Sequence, residues 1–359
     1  MTQEYLNRYV GCIIGGAIGD ALGAPTEFLS LEDIIATFGI EGVQTYVEFP
    51  DGKGEITDDT QMLLFTADGL LRSIHSVEMT GTWGAYLPIC HQAYLRWLHT
   101  QKDWHSEQAL LGVQLNGWII KESFLFQRRA PGQTCLSALR SEEMGTMDQA
   151  INDSKGCGGI MRIAPVGLLF YKDPEKAFHI GSELAAITHG HPSGYLAAGY
   201  FASLLAYIQR GLSLEQSIEA SLILLKQYQG HEETTNAIQQ AITLYKQGSP
   251  TFEKLESLGG GWVAEETLAI ALYCVLSYPA DFKKAIVLAI NHSGDTDSTG
   301  AITGNLLGLM LGETAIPDSW KRNLNHYPQI KQVALDLFTE MKGTRHAPNE
   351  EWMRKYPVE

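Results

Sequence analysis

The sequence predicts an all-α fold, a single compact multi-helix domain over residues 1–359. Apolar residues recur at helical spacing through most of the chain, and extended segments are scarce. Neither a βαβ rhythm nor a low-complexity linker divides it. The first element is N-terminal: Gly11, Gly15, Gly19 and Gly23 recur every four residues and so share one helix face. Such a stripe lets helices pack closely and brings the loops beside them together. "VQTYVEF" (43–49) is the one plausible extended piece. Helices follow at "EQALLGVQLNGWIIKESF" (107–124), "YLAAGYFASLLAYIQRG" (195–211), "LEQSIEASLILLKQYQG" (214–230), "HEETTNAIQQAITLYKQG" (231–248) and "AEETLAIALYCVLSY" (264–278), several of them stopped by glycine or proline.

Bulk composition excludes several functions. The 359 residues are 45% hydrophobic and 19% charged, an ordinary globular balance with ample core. A formal charge of −15, from 26 basic and 41 acidic side chains, argues against electrostatic binding of nucleic acid or anionic lipid. Cys12, Cys90, Cys135, Cys157 and Cys274 form no CxxC pair and are odd in number, as in a reduced, cytoplasmic protein without a disulfide framework. "MTQEYLNRYV" lacks the features of a signal peptide. The apolar "GCIIGGAIG" breaks at Asp20, short of the roughly 18 residues a spanning helix needs. No membrane association is expected, and a monomer is.

Two charged clusters carry the chemistry. Thr57, Asp58 and Asp59 precede one apolar run, and Asp295, Asp297 and Ser298 open another. Either cluster alone is explained as an N-cap, and Asp58 with Gln61 resembles a capping box. A cap needs only one oxygen, however, and each cluster offers two carboxylates and a hydroxyl. Carboxylates so close repel unless a cation or a proton lies between them. Hard oxygen donors without interleaved Cys or His favour Mg²⁺ or Mn²⁺ over Zn²⁺. If the clusters converge, four carboxylates suffice for two ions about 4 Å apart. Spacing does not establish that convergence.

Other motifs are weaker. Walker A, GxGxxG and GxSxG are absent, and "HEETTN" (231–236) lacks the second histidine of a zincin. "NDSKGCGGIMRIAP" (152–165) is a glycine-rich turn whose backbone N–H groups suit phosphate, although such turns are also common structural features. In "AAITHGHPSGYLAAG" (185–199), His189 and His191 could be caps or core residues as readily as ligand contacts.

Taken in order, "GGAIGDALGAPTEF", "GEITDDTQM", "SKGCGGIMRIAP", "ITHGHPSG" and "NHSGDTDSTGAITGNLLG" closely resemble the ADP-ribosylglycohydrolase family, over roughly residues 8–325. That family includes the dinitrogenase reductase-activating glycohydrolase and the animal ADP-ribosyl-arginine and ADP-ribosyl-serine hydrolases. The ordered pair TDDT…DTDST is its most specific element. The resemblance implies an all-α fold with two Mg²⁺ (or Mn²⁺) ions at the base of a cleft. Thr57, Asp58 and Asp59 would be ligands from one side, and Asp295, Asp297 and Ser298 from the other. Glu27 matches a glutamate on a mobile loop near the metals and is, with Asp297, the implied catalytic pair. The turn Ser154, Lys155, Gly156, Cys157 and Gly158 would hold the pyrophosphate, and His189 would lie against the adenine or its ribose.

The implied reaction is hydrolysis of the α-glycosidic bond at the distal ribose of ADP-ribose, with Glu27 or a metal-bound hydroxide as base. The partner would be an ADP-ribosylated protein or small molecule, arginine-linked first; Ser298 stands where the serine-directed animal enzymes have threonine. One departure concerns an acidic residue that some members carry before a Tyr-x-x-Trp segment. Here Tyr94 and Trp97 follow Cys90, His91, Gln92 and Ala93. The alternatives are a silent ADP-ribose-binding or crystallin-like structural protein, and the same hydrolase serving as immunity against an ADP-ribosylating toxin.

Overall fold

Two glycine-bearing helices, Thr2–Gly23 and Thr296–Leu311, organise the molecule. Gly11, Gly15 and Gly19 lie against Gly308, Gly304 and Gly300, and Gly23 lies against Thr296. The order of these pairs makes the helices antiparallel, so the end of the first meets the start of the second. A Cβ at Gly19 would stand 2.0 Å from the Gly300 carbonyl oxygen, and one at Gly15 would stand 2.4 Å from that of Gly304. Only glycine permits so close a backbone approach. The stripe visible in the sequence therefore has a matching stripe on the opposite helix.

The computed structural model describes residues 2–81, 86–102, 107–141, 143–343 and 350–358. Among these the chain forms seventeen α-helices and no β-strand. The core runs between the paired helices and Asp58–Thr80, Pro174–Ala186, Pro192–Gln209 and Ala264–Ser277, with Ile14, Ile18, Phe65, Leu184, Leu204 and Leu272 fully buried. Four of the five quoted helical stretches are helical, as Pro192–Gln209, Leu214–Leu225, Glu232–Lys246 and Ala264–Ser277. All five cysteines are free. No helix of the described residues is long and apolar enough to cross a membrane.

Two expectations fail locally. Residues 107–124 form turns and then the short 3₁₀ segments Ile119–Lys121 and Ser123–Phe126, not an α-helix. Gly112 and Gly117 adopt positive φ, +82° and +89°. Asn116 is also held by the buried Arg72, whose Nη1 and Nη2 donate to its side-chain and backbone oxygens at 2.7 Å each. "VQTYVEF" is not a strand either. Val43 makes its ladder-like bonds to a side chain: its N–H donates to Asn291 Oδ1 at 2.7 Å, and its carbonyl accepts from Asn291 Nδ2 at 3.1 Å.

Candidate functional site

Asp20 joins the first helix to the first carboxylate cluster. Its Oδ1 accepts from the backbone N–H of Thr57 at 3.0 Å, and its Oδ2 from that of Thr60 at 3.1 Å. These are otherwise unsatisfied donors at the start of Asp58–Thr80. The Thr57 hydroxyl caps the same helix by accepting from Asp59 N–H at 3.3 Å. The antiparallel glycine contact delivers the N-terminus of Thr296–Leu311 to the same place. There Asp295 is the N-cap, accepting from Ser298 N–H at 3.3 Å, and Asp297 Oδ1 accepts from the same N–H at 3.0 Å. Two positive helix ends thus meet, and each presents two carboxylates.

The clusters therefore converge on one cleft. A cavity of about 300 Å³ is lined by Glu27, Asp58, Asp59, Asp295, Asp297 and Ser298, among others. One oxygen each from Glu27, Asp295 and Asp297 lies within 4.8 Å of the other two. Thr57 is buried just outside the lining. Burial, and then repulsion from neighbouring carboxylates with Asp297 foremost, raises Glu27 to about 9 and Asp20 to about 7. Burial first, then the same neighbours, also pushes Asp58, Asp59 and Asp295 well above the usual carboxylate range, although the Gly132 N–H partly offsets this for Asp58. Asp59 Oδ2 is buried without a hydrogen-bond partner. Orphaned oxygen and crowded like charge are what a site for divalent cations presents to them.

The glycine-rich turn forms the adjoining wall. Gly156, Cys157 and Gly158 line the cavity beside His189, and Cys157 Sγ donates to Asp295 Oδ2 at 2.7 Å. The turn is anchored from behind, since Cys157 N–H donates to Trp262 O at 3.2 Å and Ala264 N–H to Lys155 O at 2.9 Å. Ser154 and Lys155 are not in the lining. The Ser154 hydroxyl accepts from Gly156 N–H at 3.3 Å and so shapes the turn. The Lys155 ammonium points away, between Glu233 and Glu265. At the cleft mouth Phe28, exposed and at φ +70°, stacks on Trp262 with ring centroids 5.2 Å apart.

Residues 1–347 match the family model for ADP-ribosylglycohydrolase. The chain belongs to the ADP-ribosylglycohydrolase family. The match is wider than the 8–325 span of the quoted motifs. The chain is similar to the ADP-ribosylarginine hydrolase Tri1 of Serratia proteamaculans, 24% identical over 336 residues that cover 94% of this chain and 80% of the relative. It is likewise similar to the ADP-ribosyl-[dinitrogen reductase] glycohydrolase of Rhodospirillum rubrum, 24% identical across 89% of this chain and 90% of the relative. A solved structure titled ADP-ribosylglycohydrolase-related protein complex superposes with a TM-score of 0.63, covering 94% of this chain and 99% of that one at 23% identity. That likeness supports the fold.

Within the ADP-ribosylglycohydrolase family, the Tyr-x-x-Trp departure falls outside the cleft of this member. Cys90, His91, Gln92 and Ala93 lie on Tyr86–Thr100, and His91 and Gln92 line a different cavity with Leu95 and Met144. Tyr94 packs inward, its ring 4.1 Å below the Arg162 guanidinium. Asp20 and the Phe28–Trp262 pair escaped the sequence reading. Asp20 did leave a signal, as a lone carboxylate ending an apolar, glycine-striped run.

Proposed function

We propose that the chain, acting as one domain, is a metal-dependent hydrolase that cleaves the glycosidic bond between ADP-ribose and a modified acceptor. Mono-ADP-ribosylated arginine on protein is the substrate of this reading. The observation that carries it is the meeting of two distant carboxylate clusters around the unpartnered Asp59 Oδ2. The activities named for the Serratia and Rhodospirillum relatives support the substrate class.

Asp58, Asp59, Asp295 and Asp297, with Thr57 and Ser298, are the residues that would hold two Mg²⁺ or Mn²⁺ ions. Bound there, the ions would supply counter-charge and Lewis acidity toward the ribose hydroxyls. Asp20 keeps the Thr57–Asp59 segment in register through its N–H contacts. The 154–158 turn, whose Ser154, Gly156 and Cys157 N–H groups are bonded to Asn152, Ser154 and Trp262, lies along the diphosphate and aims the distal ribose at the carboxylates. With the counter-charge of the ions relieving the carboxylate repulsion that otherwise keeps it protonated, Glu27, on the segment that follows the first helix, would be ionised and take the proton of the attacking water. The water oxygen bonds to C1″, the bond from C1″ to the acceptor nitrogen breaks, and the departing guanidine takes up a proton.

The test is turnover of defined arginine-, serine- and nucleotide-linked ADP-ribose with Mg²⁺, each against an EDTA control. Metal-dependent release from arginine supports the reading. Full turnover after exhaustive chelation removes the metal, and release from the serine or nucleotide substrate alone removes the arginine assignment.

A further inference from the structure

Arg162 is fully buried beneath the phosphate turn, and no carboxylate among the described residues pairs with it. Its Nη2 donates to Leu184 O at 3.0 Å and to Thr188 Oγ1 at 2.7 Å. Nη1 reaches the sulfurs of Met62 and Cys135, at 3.7 and 3.8 Å, Nε has no hydrogen-bond partner, and the Tyr94 ring, 4.1 Å away, offers the guanidinium a π face but no negative charge. A buried cation is normally neutralised by a carboxylate. Here the nearby open space is the wall assigned to an anion.

Thr188 Oγ1 also lies 2.8 Å from His189 Nδ1. A guanidinium only donates, so one lone pair of the threonine oxygen is taken and its single proton remains to be given. The Cys135 thiol is the rival acceptor. Burial raises it to about 11, so it stays protonated, and a thiol sulfur accepts far less well than an imidazole nitrogen. The hydroxyl proton therefore goes to Nδ1, which must be bare, and the ring proton sits on Nε2. Burial, and then Arg162, hold His189 down at about 3, so the ring is neutral. Its Nε2 has no protein partner and stands 3.4 Å from where a Cβ on Gly156 would be. That face is open only because the turn carries glycine.

We propose that Arg162 and Thr188 are positioning residues: they fix His189 as the Nε2–H tautomer, so that this N–H and the buried positive charge both serve the diphosphate at the 154–158 turn, in place of the adenine or ribose contact the resemblance implied for His189. The tautomer part stands on the hydrogen bonds together with the burial that keeps the ring neutral and the thiol protonated, whereas the ligand part rests on the function proposed above.

The test reads the ring nitrogens of ¹⁵N-histidine-labelled, ligand-free protein by two-bond ¹H–¹⁵N correlation, with His189→Gln to assign the signal. The expected wild-type pattern at pH 7 is a neutral ring with protonated Nε2 and a hydrogen-bonded, bare Nδ1. In Thr188→Val the Nδ1 signal moves to that of an unbonded acceptor, and in Thr188→Ser it returns. Calorimetry with ADP-ribose should show affinity about tenfold weaker in Thr188→Val and restored in Thr188→Ser, the scale of one misdirected hydrogen bond to a charged group. A wild-type ring protonated on Nδ1, or an Nδ1 signal indifferent to Thr188→Val, overturns the relay. Wild-type protein with the expected tautomer but no affinity for ADP-ribose overturns the diphosphate reading instead. The wild-type spectrum needs no Thr188 variant, so it decides even if Thr188→Val does not fold.

Discussion

Asp297→Asn tests whether the two carboxylate clusters act as one unit. The substitution preserves local shape, because an amide oxygen can still accept from Ser298 N–H, now bonded to Asp297 Oδ1 at 3.0 Å. Asp295 remains the helix cap. The variant should therefore fold while losing one charge from the centre of the cleft. Asp297 is the foremost repulsive neighbour of Glu27, Asp20, Asp59 and Asp295. A pair of unit charges about 5 Å apart costs about 3 kcal/mol at an effective dielectric of 20, and protons already on the cluster quench part of this. Relief of about 1–2 kcal/mol in metal-free buffer is expected, a melting-temperature rise of about 2 °C for a chain of this size. With Mg²⁺ present the sign reverses. Loss of a charged ligand should lower metal occupancy and reduce turnover about 100-fold, or about 2.7 kcal/mol in the barrier. Asp58→Asn should do the same from the other cluster. Independent losses would multiply to about 10⁴, whereas one shared site predicts a double variant close to either single one. The assay is metal content by mass spectrometry, melting in EDTA and Mg²⁺, and turnover of ADP-ribosylarginine for all four proteins. Near-normal turnover in Asp297→Asn, or multiplicative losses, would refute the shared site.

The remaining predictions concern separate parts of the structure. Asp20 and Glu27 take protons more readily folded than unfolded, so the metal-free fold holds this stability fully below about pH 4. It is lost as pH rises through about 7 for Asp20 and about 9 for Glu27, so calorimetric scans in EDTA should show higher melting temperatures at pH 5 than at pH 8. Gly19→Ala should cost about 3 kcal/mol or more in urea unfolding, because its Cβ would press on the Gly300 backbone, which cannot rotate away. Gly156→Val should weaken ADP-ribose binding in calorimetry with metal content unchanged, since the added atoms point at His189 rather than at the carboxylates. Lys155→Ala should leave ADP-ribose affinity within about twofold and cost about 1–3 kcal/mol of stability, because its charge is spent on partly exposed Glu233 and on buried Glu265, which would lose its cation.

Legibility from sequence followed the range of the interactions. The helices at 192–209 and 264–277 were readable because their burial imposes a helical period over many residues. Residues 107–124 carry a similar apolar pattern, but Gly112 and Gly117 turn the chain left-handed and Arg72, from another helix, captures Asn116. No local window contains that competitor. The carboxylate types at 58–59 and 295–297 were equally plain, yet their meeting depends on the register of two helices nearly 300 residues apart in sequence. The first glycine stripe exposed half of that register, and Gly300, Gly304 and Gly308 supplied the other half only when seen against it. Lys155 shows the opposite error. A lysine in a glycine-rich turn suggests a phosphate contact, and the two glutamates that hold it away come from distant helices.

The glycine contact also determines what sets the scale of the site. Where helices pack through side chains, their separation varies with rotamer, methyl count and thermal motion. Here the spacing between Asp20 and the start of Thr296–Leu311 is set by peptide against peptide, with nothing compressible in between. The pair acts as a gauge block: repacking elsewhere in the core leaves the carboxylate spacing unchanged. The rim, including the stacked Phe28 and Trp262, is free of that constraint. Changes of acceptor preference are therefore expected to arise in rim loops, while a single methyl group on the gauge would disable every substrate at once.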